Sequence, residues 1–414
     1  MASKVGFLNR GVLAVGILAL FAITAAAQDE EMSPPRIDYL TFSEGAVPIG
    51  IGGPGADMGP NAEHQVGFID GNPAPFGFIN TEDLDVVTEF SYELPAPTTF
   101  DRLAVPGILE VPGPSQTFTR YVEVWGSAVG PEEGFELLAS GTLETHSARG
   151  EVQELEIHAS PAVRWVKLRL QGGIVILEDR MGFDFSEIIG NGTQEPRPQA
   201  DNFSGAWDSR FVKMELIQDG PLVSGCYDRM GLLEGTVQGN ILTARGVDQG
   251  GAQTVSLFIL SVRSDGTLTG VRSTNGAPFR LYTGGSVDDV AGLDCVQPPF
   301  PPACGSVIHG IQFDYDSATI RPESDPVLAV LYEGLVADDA ASILIRGHTS
   351  SEGSDQYNLD LSARRAQSVV DDLIQRGLDP DRLRALGVGE GEPIANNNDE
   401  AGRSVNRRVE IECG

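Results

Sequence analysis

Ser342-Ile-Leu-Ile-Arg-Gly-His-Thr-Ser-Ser-Glu-Gly353, followed after three residues by Tyr357-Asn-Leu-Asp-Leu-Ser-Ala-Arg-Arg-Ala366, decides the fold of the C-terminal part of this chain. Ser342 to Arg346 is rich in Ile and Leu and stops at Gly347, which reads as a short strand. Asn358 to Arg376 then carries an apolar stripe of Leu361, Ala366, Val369, Val370 and Leu373, with Gly377 placed as a C-cap. A strand, a polar loop and an amphipathic helix in that order predict α/β packing.

The pattern extends in both directions. Val307 to Phe313 reads as a strand, and Asp325-Pro326 opens a helix with Val327, Leu331 and Leu335 four residues apart on one face. Arg408-Val-Glu-Ile-Glu412 closes the chain as another strand. Residues 305–414 therefore form an α/β domain with helices on one face of a small sheet.

Further upstream the character changes. From Arg36 to about Gly190, short alternating runs such as Tyr121-Val-Glu-Val-Trp125 and Val163-Arg-Trp-Val-Lys-Leu-Arg-Leu170 are separated by Gly/Pro turns. That pattern predicts an antiparallel β-sandwich over 36–190, with Trp125 and Trp165 expected in its core. Asn191 to Asp201 lacks periodicity and reads as a linker. From 202 to 285 the runs Lys213–Ile217, Gly235–Gly239, Asn240–Thr243, Val255–Leu260 and Gly266–Gly270 are punctuated by Asp219-Gly220, Gly239-Asn240 and Asp265-Gly266. Hairpin spacing of this kind predicts a small antiparallel meander or barrel. Residues 286–304 form a Pro-rich linker.

The first 27 residues read as a signal peptide: Lys4 and Arg10 precede the apolar run Gly11–Ala22, and Ala25-Ala26-Ala27 offers a cleavage site. Export makes the four cysteines disulfide candidates. Cys304 with Cys413 is favoured because the two flank the last domain, leaving Cys226 with Cys295; one bridge plus two free thiols is the alternative. A formal charge of −31 argues against nucleic acid and anionic membrane surfaces as partners.

No Gly-x-Ser-x-Gly elbow, His-Glu-x-x-His or P-loop occurs, so the sequence carries no catalytic constellation and implies no cofactor. The five histidines are scattered, and His348 has no second His or Cys at metal-ligand spacing, which makes it a turn residue and not a ligand. A membrane-spanning barrel needs alternating segments of about ten residues with aromatic girdles. The upstream strands are shorter than that and are broken by Gly and Pro.

Four blocks in the tail carry a resemblance: Phe313-Asp-Tyr-Asp-Ser317, Arg346-Gly-His-Thr-Ser-Ser-Glu-Gly353, Tyr357–Ala366 and Asn406-Arg-Arg-Val-Glu410. In order and spacing they resemble the OmpA C-terminal family. The resemblance implies non-covalent binding to peptidoglycan through the diaminopimelate of the stem peptide, in a Gram-negative envelope, at the periplasm or outer membrane. The ligand end is a zwitterion, and the match assigns its carboxylate to Arg365, whose planar guanidinium can form two parallel hydrogen bonds. Arg364 points about 100° away around the helix and reads as solvated. Thr349 and Asn358 match pocket positions, with Asp316 a further candidate.

One position departs from the family. An Asp is usual directly after Gly-His-Thr, and this chain has Ser350. Replacing a charge-assisted bond by a neutral one removes about 1–2 kcal/mol. Glu352, two residues on, Asp355 and Asp316 are the alternative sources of that carboxylate. Upstream, Phe68-Ile-Asp-Gly-Asn72, Tyr121–Ser127 with Phe135–Ala139, and Ala162–Leu170 resemble discoidin-like, galactose-binding-type sandwiches. That resemblance implies carbohydrate or envelope-protein contacts for the first module.

Overall fold

The structure is a computed structural model, and it describes residues 36–57, 60–72, 78–81, 85–107, 119–144, 151–172, 174–177, 180–209, 212–228, 231–248, 255–288, 302–314 and 316–414. The expected signal peptide and most of the Pro-rich linker, with Cys295, lie outside the described residues.

The first module is built on one long strand, Thr88–Pro106. An eight-stranded antiparallel sheet runs in the order Val47–Gly52, Thr88–Pro106, Ala162–Gln171, Tyr121–Ser127, Glu136–Thr142 and Glu156–Ile157, and Ile189–Gln194 and Val152–Glu154 also pair with the long strand. Phe78–Thr81, Arg180–Asp184 and Ile174–Leu177 make a separate three-stranded sheet. Phe68, Phe90 and Phe185 meet edge to face at 4.9 and 5.1 Å in the core.

The tryptophans do not join that core. Val122 and Val124, and Val166, Leu168 and Leu170, point into it. The strand period of two therefore turns Trp125 and Trp165 to the opposite face. There Trp125 lies under Arg169, 5.5 Å from ring centroid to guanidinium, and donates to Glu123 Oε2 at 2.9 Å. The reading of 191–201 as linker also needs correction, because Ile189–Gln194 is a strand paired with the long one. Gly190 and Gly192 permit that close approach: a Cβ on Gly192 would lie 1.9 Å from the Thr99 carbonyl oxygen.

The second module is a closed antiparallel barrel of eight strands, from Gly205–Asp208 to Arg280–Val287. Met214, Leu216, Val223, Leu233, Leu242, Phe258 and Leu260 fill it. Val255–Val262 is apolar on both faces for a reason: Phe258 and Leu260 point inward, while Leu257 and Ile259 enter the core of the first module. Elsewhere Lys213, Glu234 and Arg245 stand exposed on the outer wall. Apolar inside and charged outside reverses the pattern of a membrane-spanning barrel. No helix among the described residues is long and apolar enough to cross a membrane.

The third module is an α/β domain. Its four-stranded sheet has the order Val307–Ile308, Val409–Cys413, Ile343–His348 and Leu383–Gly389, the last pair parallel. Helices Asp355–Arg376 and Asp325–Ala337 share one core with the sheet through Val327, Leu331, Leu335, Ala366, Val369, Val370 and Leu373. Cys304 and Cys413 are joined by a disulfide, and Cys226 is disulfide-bonded as well. A short helix, Glu400–Asn406, turns away from this core and places Ala401 and Val405 in the core of the first module. Arg197, nearly buried, ties three regions together by donating to the Glu44 carbonyl at 3.0 Å and to Gln312 Oε1 at 3.2 Å.

Candidate functional site

The site is assembled where the strand Ile343–His348 ends and the helix Asp355–Arg376 begins. Ser354 caps the helix through its side chain, accepting from the Tyr357 N–H. Two glycines let the helix lie directly on the strand ends. A Cβ on Gly347 would sit 2.4 Å from the Ser362 carbonyl oxygen, and one on Gly387 would sit 2.5 Å from the Ala363 nitrogen. Ser362 fixes the remaining edge, its Oγ accepting from the Gly389 N–H at 2.9 Å, while the Gly389 carbonyl accepts from the Thr349 N–H at 3.0 Å.

This packing puts Asn358, Ser362 and Arg365 along one side of the helix. Arg365 is half-buried; its Nε donates to the Ser317 carbonyl at 2.9 Å, and its guanidinium lies 4.9 Å from the Phe313 ring centroid. Neither Nη has a hydrogen-bond or ion-pair partner among the described residues. Burial, followed by the nearby charge of Arg407, lowers the Arg365 pKa to about 10, which leaves it protonated at neutral pH. Arg364, next to it, is exposed.

The other candidate residues fall into two groups. Asp316 is exposed, held in a left-handed turn at φ 49°, and accepts the Tyr357 hydroxyl hydrogen bond, which places it beside Arg365. Asn358 is buried, and its side-chain amide donates to Glu390. Thr349 and Ser350 are both 4% exposed. Thr349 Oγ1 has no partner, while Ser350 Oγ donates to Glu352 Oε2 at 3.2 Å. Glu352 also lies 3.6 Å from Arg403 Nε and 3.7 Å from Arg407 Nη1. Asp355 is exposed in the first turn of the helix.

Arg403 and Glu400 are site-rim residues that sequence reasoning passed over, and they join Arg407 of the Asn406-Arg-Arg-Val-Glu410 block. Glu400 takes bonds from both arginines, which together hold its carboxyl below the usual range against its burial. The first module braces this rim: the Glu400 N–H donates to the Asp70 carbonyl at 2.5 Å, and Arg403 Nη2 donates to the Gly71 carbonyl at 2.7 Å. A usable signal was Asp399 ahead of Glu400-Ala-Gly402, an acidic N-cap that accepts from the Gly402 N–H at 2.6 Å.

His348 closes its strand and is buried, so it is not a turn residue. Its ring atoms gather with Glu392 and Glu410 within 4.8 Å. Those carboxylates are already matched by guanidinium groups: Arg346 reaches Glu392 at 3.0 Å and Glu410 at 3.2 Å, and Arg408 reaches Glu410 at 2.6 Å. A cation placed there would face two fixed positive charges.

Residues 312–407 match the OmpA family model. Over 100 residues the chain is 43% identical to outer membrane protein A of Bordetella avium, covering 24% of this chain and 52% of that protein. Over 125 residues it is 38% identical to peptidoglycan-binding protein ArfA of Mycobacterium tuberculosis, covering 28% of this chain and 38% of that one. A peptidoglycan-associated lipoprotein from Burkholderia pseudomallei, of known structure, is 30% identical over 25% of this chain and 88% of its own, with a TM-score of 0.24. The chain spans about a third to a half of the length of the curated relatives it matches. The C-terminal part of this chain is an OmpA-like domain.

Proposed function

We propose that this domain anchors an exported, non-enzymatic protein of the Gram-negative cell envelope to peptidoglycan. It does so by gripping the side-chain carboxylate of diaminopimelate. The observation that carries the reading is Arg365: a half-buried guanidinium, oriented by Phe313 and the Ser317 carbonyl, with both Nη groups free of protein partners among the described residues. Just past the end of the strand Ile343–His348, Thr349 Oγ1 is buried without a partner, while the buried Asn358 amide already donates to Glu390. A carboxylate would satisfy such donors, and charge-assisted bonds to a guanidinium are the strongest kind available. The relatives whose names record peptidoglycan binding or association point the same way. Placement at the periplasmic side or the outer membrane follows from that ligand. The first module then serves carbohydrate or envelope-protein contacts, with its discoidin-like resemblance as support.

Co-sedimentation of the full chain with isolated sacculi tests the reading. Wild type should pellet with sacculi and Arg365→Ala should remain in the supernatant. Wild-type protein that stays soluble defeats the proposal. It would favour a structural envelope protein whose domain kept the fold and lost the grip, the reading that Ser350 favours.

A further inference from the structure

We infer that the pocket reads the carboxylate of the ligand's amino-acid end and makes little demand on the charge of the neighbouring amine. It would therefore accept stem peptides whose side-chain amine is acylated, as in cross-links. This rests on the anchoring reading and narrows its ligand.

The donors and acceptors around the site are unequally engaged. Ser350 Oγ gives its proton to Glu352 Oε2, and Glu352 also faces Arg403 and Arg407 at 3.6 and 3.7 Å. Asp316 accepts from the Tyr357 hydroxyl. Glu352, Asp316 and Glu390, which accepts from the Asn358 amide, are thus each engaged by the protein's own donors. The unengaged groups are of the opposite kind. Among the described residues Arg365 keeps its Nη donors free, and the Thr349 hydroxyl is buried with no partner. Free donors beside engaged carboxylates describe a receptor for a carboxylate.

A charged ammonium entering beside Ser350 loses strong hydration and meets a hydroxyl there in place of a carboxylate. It finds a lone pair on Ser350 Oγ, which an acylated amine can use equally well through its remaining N–H. The acyl group would run out along Ser351, Glu352, Gly353 and Ser354, which follow Ser350 and are all exposed. An Asp at this position would instead reward the ammonium charge and oppose its loss.

Calorimetry on the full chain with three synthetic probes tests this. They are the tripeptide L-Ala-γ-D-Glu-meso-diaminopimelate, the same peptide with its side-chain amine acetylated, and the same peptide with its side-chain carboxylate as the carboxamide. The acetylated probe should bind within about five-fold of the free one, the scale of one neutral hydrogen bond. The carboxamide should lose roughly ten-fold or more. Ser350→Asp should weaken the acetylated probe relative to the free one by roughly ten-fold. A wild-type penalty beyond five-fold for acetylation overturns the inference while anchoring stands. Failure of all three probes to bind overturns the anchoring reading itself. Unchanged discrimination in a folded Ser350→Asp protein removes Ser350 as the determinant.

Discussion

The guanidinium of Arg365 lies 4.9 Å from the centroid of the Phe313 ring, so an aromatic face and not a carboxylate holds it in place. The distinction matters for function. An acid would orient the group by neutralising it, whereas a ring orients it and leaves its charge for a ligand. Cation–π contacts are worth about 0.5–2 kcal/mol. Phe313→Leu keeps the apolar volume and removes the quadrupole. Its expected effect is a loss of sacculus affinity of roughly three- to ten-fold, with thermal stability changed little. Equal affinity in the variant, measured by quantitative sedimentation, would show that the Ser317 carbonyl alone positions Arg365.

Much of the α/β tail was legible because its strands and helices follow simple periods. Val327, Leu331 and Leu335, and Leu361, Ala366, Val369, Val370 and Leu373, all lie in or at the buried face of their helices. What escaped reading has a common cause, namely that its partner lies far away in the chain. Leu383–Gly389 carries Arg384, Gly387 and Gly389 and pairs with one strand only, so it shows no alternation. Glu400–Asn406 has two apolar residues, Ala401 and Val405, which make sense only against Phe68 and its neighbours more than 300 positions earlier. For Trp125 and Trp165 the strands were read correctly and the parity was not. Valines and leucines took the core face, and the indoles went to the other face of the sheet.

The shared core bears on how the protein unfolds. Ile241, Leu257, Ile259 and Val271 of the barrel and Ala401 and Val405 of the tail sit in one cluster with Leu40, Phe42 and Phe68. Separating the modules would expose these side chains at about 1.5–3 kcal/mol each for the larger ones. Residues 36–414 should therefore melt in one cooperative transition. Coincident urea curves from tryptophan fluorescence and far-UV circular dichroism are expected. Well-separated midpoints would mean the modules are held independently.

The rim of the site predicts a coupling between modules. Arg403 is mostly buried, pairs with Glu400 at 2.8 Å and donates to the Gly71 carbonyl at 2.7 Å. Arg403→Ala leaves Glu400 and that carbonyl short of a donor, which costs about 1–3 kcal/mol. It also frees Glu352, which Arg403 faces at 3.6 Å. Stability should fall by that amount. An Arg403→Ala protein as stable as wild type would show that Arg407 alone satisfies this cluster.

Acidity should have a definite sign. Burial raises Asp38 and Asp70 each to about 7, and lifts Glu187 well above the carboxylate range. Glu44 and Glu400 face Asp38, and Asp399 and Arg403 face Asp70. An acid whose folded pKa is raised binds its proton more tightly when folded. Its stabilising contribution is complete below the unfolded value of about 4 and is lost as pH rises toward 7. Glu410 runs the other way: the His348 ring 3.5 Å away, then Arg408, lowers it to about 2, so its contribution is lost as pH falls through that value. Stability should therefore peak at mildly acidic pH and decline toward pH 8. Asp38→Asn keeps the oxygen that accepts from the Leu40 and Gly190 N–H groups at 2.9 Å and removes the titration. The decline between pH 5 and 8 should flatten in that variant, and melting curves across the range decide it.

The Cys304–Cys413 disulfide closes a loop with a sequence separation of 109 and ties the start of the tail to the last strand of its sheet. Removing a cross-link of that span releases chain entropy in the unfolded state worth up to about 4–5 kcal/mol, with typical losses of 2–4. Cys413 ends the strand Val409–Cys413, which lies between Val307–Ile308 and Ile343–His348 in the sheet. The bond therefore clamps the tail's N-terminal approach to a central strand. Cys304→Ser with Cys413→Ser should lower stability by about 2–4 kcal/mol. Sacculus binding at low temperature should survive, because Arg365 is positioned by the Phe313 ring and the Ser317 carbonyl and not through the disulfide. Loss of binding in a variant that still shows a native melt would instead place the disulfide in control of the site.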